Sequence, residues 1–556
     1  SWHEALKVAA DGLRRVKDLN GASSLAVLGG ARLANEDAYA WSKVARAVLG
    51  TDNVDCQMGD GLPAEVVLGL PRATIDEACR ADAVLLLAPD LKEELPVFYL
   101  RLREAAIDGK VALVELAPQA TALTEHSSAS LLHHPGEAAA VARKLVAAVL
   151  GRKSASGGGV SEKAIAGAAE LLANKRVVVV LGRPSLAEPA DATTEAAAVL
   201  AANIPGLRFL SALRRGNVHG ALDMGLAPGV LPGRVSLDDG RPWFESAWGT
   251  GLPPERGLDA HGILVAAANN KVQGLVLVGA DPMADFPDRT LARRGLAGVG
   301  FTVVIDTFLT ESAIHADVVL PAATYAERPG TTTNMEGRVT RLGQKVTAPG
   351  TARPDWMIAT ELASLLDADL GFESLDAISA EIERVAPAYA GVTPAVLALR
   401  ENRDGFVVPL AQESAAQESP AQESPATVAL ISFAGVEPVP PPHAPDAYSL
   451  RLVTSRSLYD GGALVQHSES LKPLVGATRL RACDRDLSRL ALRPGDLVRV
   501  TSSRASLVLE AARDDRLPRG TAAIDFNKTN EGAADLVDIT APVTDVRVEN
   551  VKRRDG

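Results

Sequence analysis

The sequence predicts parallel-sheet α/β domains followed by a smaller C-terminal β-rich domain. Short runs rich in Val, Ile and Leu alternate with longer helical stretches, the pattern of parallel strands with helices packed on their faces. Hydrophobic residues make up 47% of the 556 residues and charged residues 23%, which excludes a disordered or fibrous chain. Past a repetitive, proline-bearing segment the pattern changes to short strands and turns. At this length about three to four domains is the starting expectation.

The elements follow in order. Leu25–Leu28 reads as a strand, and Glu36–Leu49 as a helix with apolar residues at helical spacing. Strand Ala83–Leu87, helix Leu95–Ala106, strand Lys110–Leu116 and helix Ala138–Leu150 come next, and Gly151 ends the last. Ser154–Gly159 is a flexible connection, after which helix Ala164–Ala173, strand Arg176–Leu181 and helix Thr193–Ala202 restart the alternation. Arg214–Leu258, rich in Gly and Pro, reads as long ordered loops. A third run holds strand Gly274–Val278, helix Arg289–Leu296, strand Phe301–Asp306, short helix Glu311–His315 and strand Asp317–Leu320. Pro354–Leu366 and Leu375–Arg384 are helical.

Three Gln-Glu-Ser triplets, beginning at Gln412, Gln417 and Gln422, and the prolines of Pro438–Pro445 then mark a linker that buries too little apolar surface to fold. Ser449–Thr454, Asp496–Ser502, Ser506–Ala511 and Ala522–Phe526 read as strands of a small barrel. The expected division is a discontinuous first α/β domain of 1–57 plus 258–407, a second of 58–257, a linker of 408–446 and a barrel of 447–556.

Lys plus Arg is 57 and Asp plus Glu 69, a net charge of −12, and no dense basic run exists. Nucleic acid and anionic lipid are therefore poor partners. No apolar run approaches the 18 or so residues of a membrane span. Cys56, Cys79 and Cys483 form no C-x-x-C pair, cannot supply the four thiolates of an iron–sulfur cluster, and read as reduced buried thiols.

Few motifs carry chemistry. Gly29-Gly30 follows a strand but lacks a full G-x-G-x-x-G, so it reads as a plain turn. Gly279-Ala280-Asp281-Pro282 also follows a strand, where nucleotides bind, yet Asp281 reads better as a cap of the next helix. Asp306 could hold ribose hydroxyls or cap a turn. His133, His134, His219, His315 and His467 lack companions at metal-ligand spacing and read as structural.

The most specific stretch runs from Asp306 to Trp356. It contains Asp306-Thr307-Phe308-Leu309-Thr310-Glu311, Ala316-Asp317-Val318-Val319-Leu320-Pro321, Thr331-x-x-Asn334-x-Glu336-Gly337-Arg338 and Arg353-Pro354-Asp355-Trp356. It resembles the molybdopterin oxidoreductase superfamily and, within it, the G-subunit family of NADH-quinone oxidoreductase, the large peripheral-arm component of respiratory complex I. Trp2-His3-Glu4-Ala5-Leu6, Asn35-Glu36-Asp37, Gly50–Asp55 and Gly216–Ala221 are similar to further phrases of that family in the same order. The resemblance implies that the tail is a six-stranded double-psi barrel.

Catalytic members hold two pterin guanine dinucleotides and a molybdenum or tungsten ion, ligated by a side chain shortly after the Asn-Val-Asp phrase. Gly61 stands near that ligand position here, and Cys56 is too early. The pterin-turn positions are Ala88, Pro89 and Asp90, where a missing N–H and a negative charge oppose a pyrophosphate. Together with Asp281, Pro282 and Asp306 they make up a degenerate pterin site. The resemblance therefore implies a retained fold without a cofactor in this chain. It also implies 2Fe-2S and 4Fe-4S clusters upstream of Ser1, the chain being expected to be a fragment. The expected role is structural, at the cytoplasmic face of the bacterial inner membrane. Expected partners are other hydrophilic subunits of complex I, including the NADH-oxidising flavoprotein and the cluster-bearing subunits. The rivals are a catalytic subunit of a molybdenum or tungsten pterin enzyme, such as formate dehydrogenase or nitrate reductase, and a free-standing nucleotide-binding module.

Overall fold

A computed structural model describes residues 1–153, 155–408, 428–444, 448–528 and 531–551. The chain opens with the helix Trp2–Asn20. The Ser1 hydroxyl accepts from the Glu4 amide while the Glu4 carboxylate takes the Ser1 ammonium, a capping box. Leu6, Ala9, Ala10, Leu13 and Val16 recur at helical spacing and bury one face of this helix on the first sheet.

That sheet has five parallel strands in the order Val318–Pro321, Phe301–Asp306, Gly274–Val278, Leu25–Gly29, Val54–Asp55. Every residue of Leu25–Gly29 and of Gly274–Val278 is buried, as a parallel strand covered on both faces requires. The chain leaves this sheet after Asp55 and returns to it only at Gly274. The intervening stretch builds a second all-parallel sheet, in the order Ala129–Leu132, Ala112–Ala117, Ala83–Leu87, Val177–Leu181, Arg208–Ser211. Its edge strands, Ala129–Leu132 and Arg208–Ser211, escape the sequence pattern because each is four residues long and interrupted by polar side chains.

Residues 214–258 are not the long loops expected. They hold the helices Val218–Asp223 and Leu237–Trp248 and the hairpin pair Val230–Leu231 and Val235–Ser236. Gly225, Gly229 and Gly233, all at positive φ, make the turns between these elements, and Ser236 caps the second helix. The glycines that suggested irregularity instead allow tight reversals. The helix expected over Glu36–Leu49 is an α-helix at Asn35–Lys43 that widens into a π-helical turn over Val44–Leu49.

Of the expected linker, residues 428–444 are described, and the repeated Gln-Glu-Ser triplets lie outside the described residues. The described part runs along the body. The Ile431 amide donates to the Arg234 carbonyl at 2.8 Å and the Phe433 amide to the Gly69 carbonyl at 3.1 Å. Val428, Leu430, Ile431 and Phe433 pack on the main core and supply the apolar area that the triplets lack.

The tail closes into a six-stranded barrel in the order Ser449–Val453, Thr521–Ala523, Arg479–Ala482, Ser506–Arg513, Leu497–Thr501, Asp545–Asn550, with the last strand pairing back to the first. Burial alternates strictly along Leu497–Thr501, with Val498 and Val500 inside. Arg479–Ala482 and Asp545–Asn550 were not evident in the sequence, because half of each is charged and only alternate residues point into the barrel.

Gly29 sits at φ 117, and a Cβ there would lie 2.1 Å from the Val278 carbonyl oxygen. Gly29→Ala is expected to cost about 1–3 kcal/mol of stability in denaturant unfolding. Gly109→Ala, also at positive φ but with nothing within 4 Å, should fall at the lower end of that range.

Candidate functional site

Parallel sheets hold ligands at the carboxyl ends of their strands. In this protein the segments leaving those ends in both sheets meet each other and the first excursion of the barrel. Arg32 follows the strand Leu25–Gly29, Asp60 follows Val54–Asp55, and Arg214 and Arg215 follow Arg208–Ser211. Asp285 closes the short helix after Gly274–Val278, and Arg456 and Asp460 follow the barrel strand Ser449–Val453.

These side chains form one network. Arg215 lays its two terminal nitrogens on Asp60 at 2.7 and 3.1 Å, a forked pair, and donates to the Gln57 carbonyl at 3.0 Å. Arg456 donates to Asp60 at 3.0 Å, to Asp460 at 3.0 Å and to the Asp285 carbonyl at 3.1 Å, with its guanidinium 4.4 Å above the Phe526 ring. Arg32 reaches Asp285 at 2.9 Å and the Gly279 carbonyl at 2.9 Å, and Arg214 reaches Asp460 at 2.8 Å. The side chains of Arg456, Asp460, Asp60, Arg215 and Asp285 are all no more than 4% exposed.

Burial makes each of these charges depend on the others. It resists ionisation of Asp285, yet Arg32, Arg215 and Arg456 outweigh it and hold the carboxyl well below the ordinary range. It equally resists the charge on Arg215, and Asp60 and Asp285 raise that pKa above its usual value. Arg456 is raised against burial by Asp60, Asp460 and Asp285. At the border, burial pushes the Glu94 carboxyl up against the pull of Arg214 and Arg456.

A cleft of about 670 Å³ adjoins this network and is lined by Asp55, Gly59, Gly61, Arg183, His261 and Pro440, among others. Arg183 crosses from the second sheet to donate to the Gly59 carbonyl at 2.6 Å. Its Nε, and the Nε2 of His261, are buried without a partner among the described residues. Asp55 accepts from the amides of Gln57 at 2.7 Å and Ala260 at 2.9 Å. Burial, with the charge of Asp259 next, pushes it up to about 6.

The residues singled out in the sequence are placed as follows. Gly61 lines the cleft, and a Cβ there would lie 1.9 Å from the Gln57 Oε1. Ala88 and Pro89 are buried at the end of the strand Ala83–Leu87. Asp90 caps the helix Leu91–Glu94 through the Lys92 amide at 3.0 Å and accepts from the Ala122 amide at 3.0 Å, and burial raises its pKa. Asp281 does not cap the helix that begins at Pro282. Its carboxylate crosses instead to the Ser312 hydroxyl at 2.5 Å and amide at 3.2 Å, and the Ser312 hydroxyl oxygen in turn takes the Met283 amide, at 3.1 Å, that a capping side chain would have taken. Asp306 accepts from the Thr307 and Phe308 amides and so closes a turn. Cys79 is half-buried, whereas Cys56 and Cys483 are buried. None of these residues belongs to the arginine–aspartate network, whose members carried no motif in the sequence.

Arg456→Met would leave Asp60 and Asp460 short of a cation, and a loss of about 3–5 kcal/mol is expected in denaturant unfolding. Arg499→Met, on the exposed face of the barrel, should cost about 0.5 kcal/mol or less. Asp55 gives a pH signature. Its folded-state pKa of about 6 lies above the ordinary 3.8, so the folded state keeps the proton longer and stability declines as pH rises through that window. Asp55→Asn should flatten this decline, as read from thermal unfolding at a series of pH values.

Residues 1–365 match the family described as Molybdopterin oxidoreductase, and residues 450–548 match the Molydopterin dinucleotide binding domain. The chain is 30% identical to the NADH-quinone oxidoreductase G subunit 2 of Rhizobium meliloti over 95% of its own length and 62% of that protein's. It is 32% identical to the NADH-quinone oxidoreductase G subunit of Streptomyces coelicolor over 96% of its own length and 60% of that protein's. It is 28% identical to the F420-dependent formate dehydrogenase 2 subunit alpha of Methanococcus maripaludis, over 99% of its own length and 89% of that protein's. The chain thus spans about three fifths of the length of the two NADH-quinone oxidoreductase relatives. Acetylene hydratase from Pelobacter acetylenicus shares the fold, with a TM-score of 0.72 at 16% identity over 99% of this chain and 89% of that one. The chain belongs to the molybdopterin oxidoreductase family.

Proposed function

We propose that the chain is the molybdopterin-oxidoreductase-like region of the G subunit of complex I and acts as a structural support rather than as a pterin–metal enzyme. The observation that carries this is the residue at position 61. A metal held by pterins would take a side-chain ligand near there, but glycine offers none and Gln57 occupies the space a larger residue would need. Asp90 adds a buried carboxyl to the turn where a pyrophosphate would lie, and it already takes the amides of Lys92 and Ala122. These residues do not fit the cofactor.

The arginine–aspartate network supports the structural role, because it clasps both sheets and the barrel through paired charges and leaves no free acid or base within itself. In this reading NADH oxidation and quinone reduction take place on other polypeptides. The 2Fe-2S and 4Fe-4S clusters lie in parts of the subunit outside this chain. The partners are the other hydrophilic subunits of complex I, at the cytoplasmic face of the bacterial inner membrane. No helix among the described residues is long and apolar enough to cross a membrane.

A catalytic molybdenum or tungsten subunit, such as that of a formate dehydrogenase, is the second reading. It is favoured by the cleft beside Gly61 and by the likeness to a formate dehydrogenase subunit over nearly the whole chain. Elemental mass spectrometry of the native assembly purified through this chain separates the two. Abundant iron with neither molybdenum nor tungsten is expected. Stoichiometric molybdenum or tungsten would overturn the proposal.

A further inference from the structure

Away from the sheet ends, a cavity of about 110 Å³ opens between the hairpin Gly330–Thr333 and Arg338–Leu342 and the helix Leu375–Val385. Its walls are mostly apolar and include Val339, Ile382, Val392 and Leu397. Glu36, 2% exposed, also lines it. The Glu36 Oε2 accepts the Thr331 amide at 2.8 Å and the Oε1 accepts the Thr331 hydroxyl at 2.9 Å, with the Ser379 hydroxyl 3.5 Å from Oε1. No cation among the described residues ion-pairs with Glu36. The nearby Arg328 is committed to Asp37, at 2.8 Å, and to Asp355. A buried carboxylate without a counter-charge is costly, and burial, with Asp37 adding to it, pushes Glu36 up to about 7. The other charged groups lining the cavity are Asp376 and Arg341, both solvent-exposed.

We propose that this cavity binds a short primary alkylammonium ion, with its nitrogen on Glu36 and its alkyl chain against Val339, Ile382, Val392 and Leu397. The volume is several times the roughly 10–15 Å³ that one water requires, so it has room for a short alkyl chain. An ammonium carries three donors and a positive charge. Glu36 and Ser379 supply the acceptors, and the ion provides the counter-charge that the fold leaves out. Glu36 and Asp376 repel anions, and among the described residues Arg341 is the lining cation that opposes the ligand. An alcohol of the same length would fill the space without meeting the charge.

Calorimetric titration of the chain with n-butylammonium chloride at pH 6.5, in two buffers of different ionisation enthalpy, tests this. Saturable binding with release of a proton from Glu36 is expected, with no matching binding of n-butanol or of sodium chloride, and with loss of about tenfold or more in affinity in E36Q. Equal binding of butanol would reduce the cavity to an apolar void and overturn the proposal. So would the absence of binding heat, or unchanged affinity in E36Q. If E36Q does not fold, the proton release measured on the unmodified chain decides, since an apolar void releases none.

Discussion

Arg456 is 1% exposed and cannot shed its charge at any accessible pH, so carboxylates must be brought to it. Asp60, which it meets at 3.0 Å, lies 396 residues away in the chain, Asp285 comes from a further segment, and Asp460 stands four residues on in the same barrel excursion. Meeting this one requirement forces the carboxyl ends of both sheets and the barrel excursion into a single arrangement. Each partner has a further arginine of its own, Arg215 on Asp60, Arg32 on Asp285 and Arg214 on Asp460, so the condition spreads outward until it reaches half-exposed side chains. A network of this kind contributes less to net stability than an apolar core of equal volume, but it penalises any arrangement that leaves one member alone.

The same geometry explains why the ligand end of this fold reads as it does. Parallel strands deliver loops to their carboxyl ends, and those loops are where a family varies its chemistry. Here they carry arginines and aspartates that satisfy one another, a glycine beside the cleft, and an aspartate that caps its own helix. What remains open is the cleft beside Gly61, whose polar lining includes Asp55, Arg183, Asp259 and His261.

Much of the fold was legible in the sequence because fully buried parallel strands are runs of Val and Leu, as in Val177–Leu181 and Ala83–Leu87. The elements that escaped are those whose burial is one-sided or brief. Among them are the edge strands Ala129–Leu132 and Arg208–Ser211, the hairpin Gly330–Thr333 and Arg338–Leu342, the barrel strands Arg479–Ala482 and Asp545–Asn550, and the helices within 214–258, whose flanking glycines looked like loop. The site was legible only in its local capping chemistry, and there Asp281 turned away from the helix expected of it. The network was not legible, because Arg214, Arg215 and Arg456 become informative only when the fold sets them opposite Asp60, Asp285 and Asp460. The adjacent arginines Arg214 and Arg215, separated by two residues from the strand Arg208–Ser211, were a local hint.

The proposed structural role rests on paired protein charges, and not on a pterin-held metal, at the place where the two sheets and the barrel meet. Its most direct test is an experimental density map of the native assembly containing this chain, inspected between Gly61 and Arg456. Continuous guanidinium and carboxylate density linking Arg215, Asp60 and Arg456, with no heavy atom beside Gly61, is the expected result. A heavy-atom peak beside Gly61 with density for a bound dithiolene, and Arg456 displaced from Asp60, would contradict it.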